Sequence, residues 1–404
     1  MSGRRGLRLP ELSGVSARLA ALAGLALTAA ALGAALGGCA TPQLTDAQPG
    51  MSGADLLGAN GLLVGKNYPG PIPRATLDQR IRGMVRVEVQ TNGARSLATG
   101  LAGLVLGTIP GPQPPVQRTA ERMLAAAPGT IIGSGFFVRA GGYIVTNQHV
   151  IDTPGEVLVR TWDGRVFHAE RLGSDADLDL AVLKMDAQNA AAYPVLPLSD
   201  AGEPHPGDYA LALGFPFGFD LSLAQGIVAG SGRGIGLRAD DWMLQTDADI
   251  NPGNSGGPLL DATGQVMGVI DAAYLWGSKA GFAEPVDLLA AHLDTLALGY
   301  TPEHGRLPFT GSSVDFQRMQ VEHLAAFNCV KVETVAAAGR AAGLQPGDLI
   351  VAADQLMVHS LRDLSHALRL KEPGDRMQLT VSRSRGIGAA EMLTCTVPVL
   401  GADD

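Results

Sequence analysis

A serine set between glycines, on a loop that leads into an apolar strand, is the feature that most constrains this chain. Ser255 lies in the segment Gly253-Asn254-Ser255-Gly256-Gly257, which Pro258-Leu259-Leu260 follows. Glycine has no side chain and tolerates backbone angles that other residues avoid, so another backbone can approach such a serine closely. The pattern predicts that Ser255 is a nucleophile and that the N–H groups of Gly253 and Ser255 form an oxyanion hole.

A serine hydroxyl is a weak nucleophile alone, so the prediction requires a base and a group that orients the base. His149 ends a β-branched run that begins at Tyr143, and Asp179 stands directly before the apolar run Leu180-Ala181-Val182. The order His149, Asp179, Ser255 is typical of chymotrypsin-type double barrels. Two further carboxylates, Asp175 and Asp177, are interpreted as solvated turn residues.

The same loop also satisfies the Gly-x-Ser-x-Gly pattern of esterases, and histidines follow Ser255 at positions 292, 323, 359 and 366. An esterase elbow needs a strand, a sharp turn and a helix. Here the segment 258–270 reads as strand, turn and strand instead. We therefore rank an esterase below a peptide-cleaving enzyme.

From these residues onward the chain resembles the HtrA/DegP family of trypsin-like serine proteases. The resemblance covers residues from about 130 to 290, in the order that the family has them. Gln148 departs from the family pattern, in which a second asparagine usually precedes the histidine. The matching segments are Gly133-Ser134-Gly135-Phe136, Gly142 to Val150, Asp163-Gly164-Arg165, Asp179 to Lys184, Leu213 to Gly218, the serine loop and Gly281 to Pro285.

The resemblance implies a Ser255–His149–Asp179 triad, no cofactor and no metal, and cleavage after small aliphatic residues in unfolded or specific proteins. It also implies a homo-oligomer built on trimers. The pocket for the substrate side chain is expected beside the loop Tyr274 to Gly281. Its predicted binding residues are Ile270, Asp271, Ala272 and Ala273.

The C-terminal region resembles a PDZ domain, mainly through Ala341 to Ile350 and Pro373-Gly374-Asp375. A PDZ domain binds a C-terminal peptide by adding it as a strand, with backbone N–H groups holding its carboxylate. The carboxylate loop is expected near Phe309-Thr310-Gly311-Ser312. The helix around Leu361 to Leu370 would form one wall, with Leu364 and Leu368 as apolar contacts.

The N-terminus carries arginines before an apolar run, Leu19 to Gly38, that ends at Cys39. This arrangement resembles a bacterial lipobox, so we expect a signal peptide to be removed and Cys39 to become lipidated. An uncleaved membrane anchor is the alternative, because about 20 apolar residues can span a bilayer. Either outcome predicts an enzyme on the periplasmic side of the bacterial envelope, attached to the membrane.

The chain of 404 residues is too long for one ordinary core. Its formal charge of -9 gives no basic footprint, so nucleic-acid binding is not expected. An oxidising compartment would permit a bridge between Cys329 and Cys395. The expected fold is mainly β, a chymotrypsin-like double β-barrel followed by a small α+β PDZ-like domain. The expected segments are a signal peptide at 1–38, a tether at 39–77, a protease domain at 78–300 with an insertion at 91–129, and a PDZ-like domain at 306–400.

The insertion at 91–129 is long and partly apolar, and such loops are seldom without function. It is interpreted either as a contact with a neighbouring subunit or the membrane, or as a plain packing insertion. For the whole chain, the principal hypothesis is an envelope-anchored serine endoprotease. The alternative is a peptide-binding chaperone or scaffold in which proteolysis is weak or gated.

Overall fold

The computed structural model describes residues 70–91, 130–235, 241–273, 280–322, 324, 326–384 and 390–402. These belong to one compact unit, Met51–Asp404. The predicted signal peptide, Cys39, most of the tether, nearly all of the insertion and the loop 274–279 lie outside the described residues. Within the described part, no helix is long and apolar enough to cross a membrane.

The first six strands close into a barrel in the order β1-β2-β3-β6-β5-β4. Strand β1 shows why, since Val85, Val87 and Val89 are fully buried while the residues between them are only partly buried. This alternation places one face of each strand in the barrel core. The strands are β1 Met84–Gln90, β2 Thr130–Arg139, β3 Tyr143–Asn147, β4 Glu156–Thr161, β5 Val166–Asp175 and β6 Leu180–Met185.

The next six strands close into a second barrel in the order β10-β11-β12-β9-β8-β7. Two closed barrels in sequence leave no exposed sheet edge in either, and they confirm the predicted double-barrel fold. A 3-10 turn, Pro216–Gly218, follows the first strand of this barrel. The strands are β7 Tyr209–Gly214, β8 Ser222–Arg233, β9 Met243–Thr246, β10 Pro258–Leu260, β11 Val266–Ala273 and β12 Gly281–Pro285.

Helices seal the two barrels at either end of this region. Helix α1, Arg74–Arg82, buries Leu77 and Ile81, which stand four residues apart on one face. Ile72, ahead of α1, is also buried, so core packing begins before the predicted domain start at 78. Helix α4, Val286–Ala297, contacts strands of both barrels and closes the core between them. Helices α2, Gln148–Ile151, and α3, Ala187–Ala190, are single turns.

The C-terminal region forms a mixed helix and sheet layer, as predicted for a PDZ-like domain. Its sheet has the order β13-β14-β15-β17-β18, with β16 paired to β15, and its core is separate from that of the barrels. The elements are β13 Phe309–Val314, α5 Phe316–Glu322, β14 Cys329–Val335, α6 Ala337–Ala341, β15 Leu349–Ala353, β16 Leu356–Met357, α7 Leu361–Arg369, β17 Arg376–Ser384 and β18 Ala390–Pro398.

Cys329 and Cys395 are both buried in this domain and are not bridged. They lie on β14 and β18, which are not neighbours in the sheet. Burial raises the pKa of both thiols, which keeps them protonated and unreactive. The bridge that an oxidising compartment would permit is therefore absent between these two cysteines.

Candidate active site

The two barrels each contribute part of the predicted triad. His149 lies in α2, directly after β3, and Asp179 lies in the turn before β6 of the first barrel. Ser255 lies on the loop between β9 and β10 of the second barrel. All three are buried, with exposed fractions of 6%, 0% and 4%. Barrel closure therefore brings residues that are far apart in sequence to one crevice.

His149 and Asp179 form a close pair. The imidazole Nδ1 lies 2.5 Å from Asp179 Oδ2, and the backbone N–H of His149 donates to Asp179 Oδ1 over 2.8 Å. Two bonds to one carboxylate hold the ring in a single orientation. With Nδ1 as the donor, Nε2 is left to accept a proton, which is the tautomer a general base requires.

The backbone at Asp179 is itself held in an uncommon conformation. Its φ is 53°, in the left-handed region that most residues avoid but Asp and Asn tolerate. The side-chain amide of Asn147 and the backbone N–H of Gln148 both donate to the Asp179 carbonyl, over 2.9 and 3.1 Å. Asn147 is thus a supporting residue that sequence reasoning did not single out, although its place two residues before the histidine was a usable signal.

Ser255 is connected to the second barrel by its side chain. Its hydroxyl donates to the backbone carbonyl of Asp271, with an Oγ to O distance of 3.1 Å. A carboxylate oxygen of Asp271 in turn lies within 4.8 Å of a ring nitrogen of His149 and of a carboxylate oxygen of Asp179. The three predicted triad residues therefore share one buried neighbourhood, and Asp271 lies in it as well.

The serine loop is fastened to its surroundings on both sides of Gly253. This glycine has a φ of 103°, and a Cβ there would lie 2.4 Å from the Phe215 carbonyl. The hydroxyl of Ser134, from the first barrel, donates to the Gly253 carbonyl over 2.7 Å. The same hydroxyl accepts from the N–H of Phe215 over 3.0 Å. The loop that carries the two predicted oxyanion donors, Gly253 and Ser255, thus depends on contacts from both barrels.

The predicted substrate pocket is described only in part. Ile270 and Asp271 are each 1% exposed, so their side chains face the interior. Ala272 and Ala273 pair through their backbones with Phe282 and Gly281 of β12. Sequence reasoning assigned Asp271 to substrate binding and did not foresee its place beside the histidine–aspartate pair.

Two groups of side chains among the described residues place possible metal-ligand atoms within 4.8 Å of one another. One is the cluster of His149, Asp179 and Asp271, which contains two members of the predicted triad. The other is Asp175, Asp177 and His304. In the second group His304 Nε2 donates to Asp175 over 2.8 Å. Burial by itself would raise the pKa of Asp175, but His304 and the N–H groups of Leu178 and Asp177 together lower it. The hydrogen bond between His304 and Asp175 explains the geometry of this group.

The PDZ-like domain offers an open strand edge next to a helix. Strand β13, which contains the predicted carboxylate loop Phe309 to Ser312, is an edge strand, and α7 contacts it. The backbone N–H of Leu361 donates to Ser313 Oγ over 2.9 Å and ties the start of α7 to this strand. Leu364 is 3% exposed and packs in the domain core, while Leu368 is partly buried. Of the two predicted apolar contacts, Leu368 is therefore the more accessible.

The same helix also contacts the second barrel. The Trp242 ring stacks on His366 with centroids 4.3 Å apart, and its indole N–H donates to Asp363 over 3.0 Å. His366 Nε2 donates to Asp287 of α4 over 2.9 Å. His292 Nε2, also on α4, donates to the Arg369 carbonyl over 2.6 Å. Burial lowers the pKa of His292 despite that bond, so the ring is neutral in this contact.

Two stretches of the chain match models of known domains. Residues 133–269 match a trypsin-like peptidase domain, and residues 317–399 match a PDZ domain. The first stretch contains all three predicted triad residues. Together with the two closed barrels, these matches define the class: a trypsin-like peptidase fold followed by a PDZ domain.

Individual relatives narrow the class to a family. Over 288 residues the chain is 36% identical to a Chlamydia muridarum protein named probable periplasmic serine endoprotease DegP-like, with 67% of this chain and 55% of the relative covered. A Pseudomonas savastanoi protein of the same name is 34% identical over 301 residues, covering 72% and 60%. The chain thus spans little more than half the length of these curated relatives. The solved HtrA-type protease AlgW with tripeptide superposes with a TM-score of 0.57 at 26% identity, over 80% of this chain and 95% of that one. The chain belongs to the HtrA/DegP family.

Proposed function

We propose that the protein is a serine endopeptidase that cleaves peptide bonds through Ser255, His149 and Asp179. The observation that carries the proposal is the 2.5 Å bond between His149 and Asp179 beside a glycine-flanked serine loop. Next to a serine, a histidine oriented by an aspartate acts as the base that makes the serine hydroxyl nucleophilic. The names of the relatives, serine endoproteases, support the same reaction.

The mechanism follows from the role of each group. His149 Nε2 takes the proton of the Ser255 hydroxyl as the oxygen attacks the peptide carbonyl. The N–H groups of Gly253 and Ser255 stabilise the oxyanion that forms. The protonated imidazole, stabilised by Asp179, then gives its proton to the leaving amine. Water, activated by the same histidine, releases the acyl group from Ser255.

The test is digestion of casein by the wild-type protein and by Ser255→Ala. We expect the variant to lose about 10³-fold or more of the activity, because the nucleophile is gone while the oxyanion donors remain. Ser231→Ala, a serine on β8 whose hydroxyl bonds to Glu203, is the matched control and should digest casein at the wild-type rate. Equal digestion by wild type and Ser255→Ala would refute the proposal.

A second candidate function is peptide binding by the PDZ domain, with proteolysis weak or gated. The exposed edge of β13 beside α7 favours it, since PDZ domains add a peptide as a strand. The solved AlgW structures with a tripeptide and a decapeptide show that relatives of this fold bind short peptides. If peptide binding is the main activity, Ser255→Ala will suppress aggregation of an unfolded protein as well as wild type does, and neither will digest casein.

The location proposed for the protein is the periplasmic side of a bacterial envelope, held by a lipid at Cys39. The relatives named periplasmic support the compartment, and the apolar run that ends at Cys39 supports the lipid. Metabolic labelling with an alkyne fatty acid should mark wild type and leave Cys39→Ser unmarked. The proposed assembly is a homo-oligomer built on trimers, which light scattering on the purified protein would test.

A further inference from the structure

Asp271 links the nucleophile to the histidine–aspartate pair from the second barrel. Its backbone carbonyl accepts the hydrogen bond from Ser255 Oγ at 3.1 Å. One of its carboxylate oxygens lies within 4.8 Å of a ring nitrogen of His149 and of a carboxylate oxygen of Asp179. One residue therefore touches the serine through its main chain while its side chain lies beside the other two groups.

A β-bulge accounts for this inward placement. In the pairing of β11 with β12, Ile270 stands opposite Ala283 and Ala272 stands opposite Phe282. Asp271 is the extra residue between them, where the register shifts. A bulge of this kind interrupts the alternation of a strand and re-aims a side chain, often next to an active site. Without the shift, the alternation of β11 would have given Asp271 a different direction.

The local charges decide the protonation state of Asp271. Its side chain and that of Asp179 are both buried, and their carboxylates lie within 4.8 Å of each other. Burial and a neighbouring like charge both disfavour ionisation, so a proton is retained by one of the two acids. Asp179 accepts two N–H bonds from His149, which stabilise its charged form. Of the two acids, Asp271 is therefore the one expected to retain a proton.

Other titratable side chains stand on the elements that contact β11. They are Tyr143 on β3, Glu284 on β12, and Asp287, His292 and Asp294 on α4. Among the described His, Cys, Asp and Glu residues, the cluster around the serine contains His149, Asp179 and Asp271 and none of these.

On the basis of the function proposed above, we propose that Asp271 is a positioning residue that carries a proton while Asp179 is ionised. Its carboxylic acid approaches Asp179 from the second barrel, whereas His149 and Asn147 hold Asp179 from the first. The neutral acid adds a donor beside Asp179 without adding a second negative charge. The imidazole of His149 therefore faces one carboxylate charge and remains a neutral base at the pH where it must accept the serine proton.

Infrared difference spectroscopy tests the protonation state without reference to activity. The spectrum of wild type minus Asp271→Asn at neutral pH should contain the carbonyl band of a protonated carboxylic acid. Asp348→Asn is the matched control, because Asp348 is equally buried and its carboxylate is bonded to the Arg383 guanidinium over 2.6 and 2.7 Å. That variant should leave the band in place. If the carboxylic acid band of wild type is still present in Asp271→Asn, the proposal is overturned.

Measurement of kcat tests the positioning role. For each variant, a fluorophosphonate that labels the reactive serine gives the concentration of active sites, so that unfolded molecules do not contribute. Asparagine can donate as the protonated acid does, whereas alanine cannot, so kcat of Asp271→Asn should exceed that of Asp271→Ala about tenfold. The acid limb of the pH profile should coincide in wild type and Asp271→Asn. Equal kcat values for the two variants, or an acid limb moved to lower pH in Asp271→Asn, would refute the positioning role.

The two proposals can fail separately. Absence of serine-dependent cleavage by wild type would remove the proposed endopeptidase function, and the infrared band would still report on Asp271. Conversely, an active enzyme without that band would retain the proposed function and lose this inference.

Discussion

At the scale of single residues, the conformation of Asp179 makes the histidine–aspartate pair possible. A φ of 53° turns the chain sharply between β5 and β6, so that both the carboxylate and the carbonyl of this residue face the segment Asn147 to His149. Left-handed backbone is tolerated by Asp and Asn far better than by bulky or branched residues. The position therefore restricts the residue type for conformational as well as chemical reasons.

The first prediction concerns Asp179→Asn. Asparagine accepts the same φ, so the variant should fold with an unchanged melting temperature. The amide cannot stabilise the imidazolium and favours the wrong tautomer, so kcat should fall about 10⁴-fold. Asp177→Asn, an exposed neighbour, is the control and should keep both kcat and melting temperature. A loss of activity that tracks a loss of folded protein would contradict the electrostatic explanation.

A functional residue can be predicted from the sequence when the pattern that marks it lies in a few consecutive positions. The sequence predicted Ser255 from its flanking glycines, and it predicted His149 and Asp179 from the apolar strands beside them. Each of these patterns occupies a few consecutive positions. The role of Asp271 is not local, since it depends on a register shift against β12 that only the folded sheet defines. Its sequence setting, between Ile270 and Ala272, fits a pocket wall equally well.

At the scale of secondary structure elements, helix α7 faces two ways. Its first residue is tied to the edge strand β13. Asp363 and His366 contact Trp242 of the second barrel, and His366 and Arg369 contact α4. The resemblance to a PDZ domain predicted a helix around 361–370. It did not predict the partners on the barrel, because Trp242 and Asp287 are more than 70 residues away in sequence.

The second prediction tests this contact with Trp242→Phe. Phenylalanine preserves stacking on His366 but removes the indole N–H that donates to Asp363. The loss of one such bond should weaken the contact by about 1 kcal/mol. Hydrogen exchange of the α7 amides should accelerate accordingly. Trp162→Phe, whose ring packs against Arg82 in the first barrel, should leave exchange in α7 unchanged.

At the scale of the whole molecule, the barrels and the PDZ domain meet through histidines. His292 and His304 lie edge to face with ring centroids 5.6 Å apart, and His366 donates to Asp287 of α4. Their partners differ, since His304 and His366 donate to carboxylates whereas His292 donates to a carbonyl.

The third prediction follows from the lowered pKa of His292. Burial disfavours the charged ring in the docked state, so the undocked state binds more protons once the pH falls below the ordinary value of 6.5. The docking free energy should therefore diminish as the pH falls through that value and remain constant above it. By contrast, the lowered pKa of Asp175 preserves its bond to His304 until the pH falls below the ordinary carboxyl range.

Hydrogen exchange of α7 as a function of pH, corrected for intrinsic exchange, measures this effect. His292→Gln retains a neutral donor for the Arg369 carbonyl and should flatten the dependence near pH 6.5. If the pH dependence of α7 exchange is the same in His292→Gln as in wild type, a group other than His292 causes the weakening at low pH.

The opposed positions of Gln90 and Thr130 have a practical consequence for altering this protein. These residues lie opposite each other in the pairing of β1 with β2, so the end of β1 and the start of β2 are neighbouring positions in the sheet. Any replacement peptide spliced there starts and finishes at neighbouring backbone positions, and each doubling of its length adds only about 0.6 kcal/mol of closure entropy. A sensor or an affinity tag can therefore be inserted between Gln90 and Thr130 without redesigning the barrel.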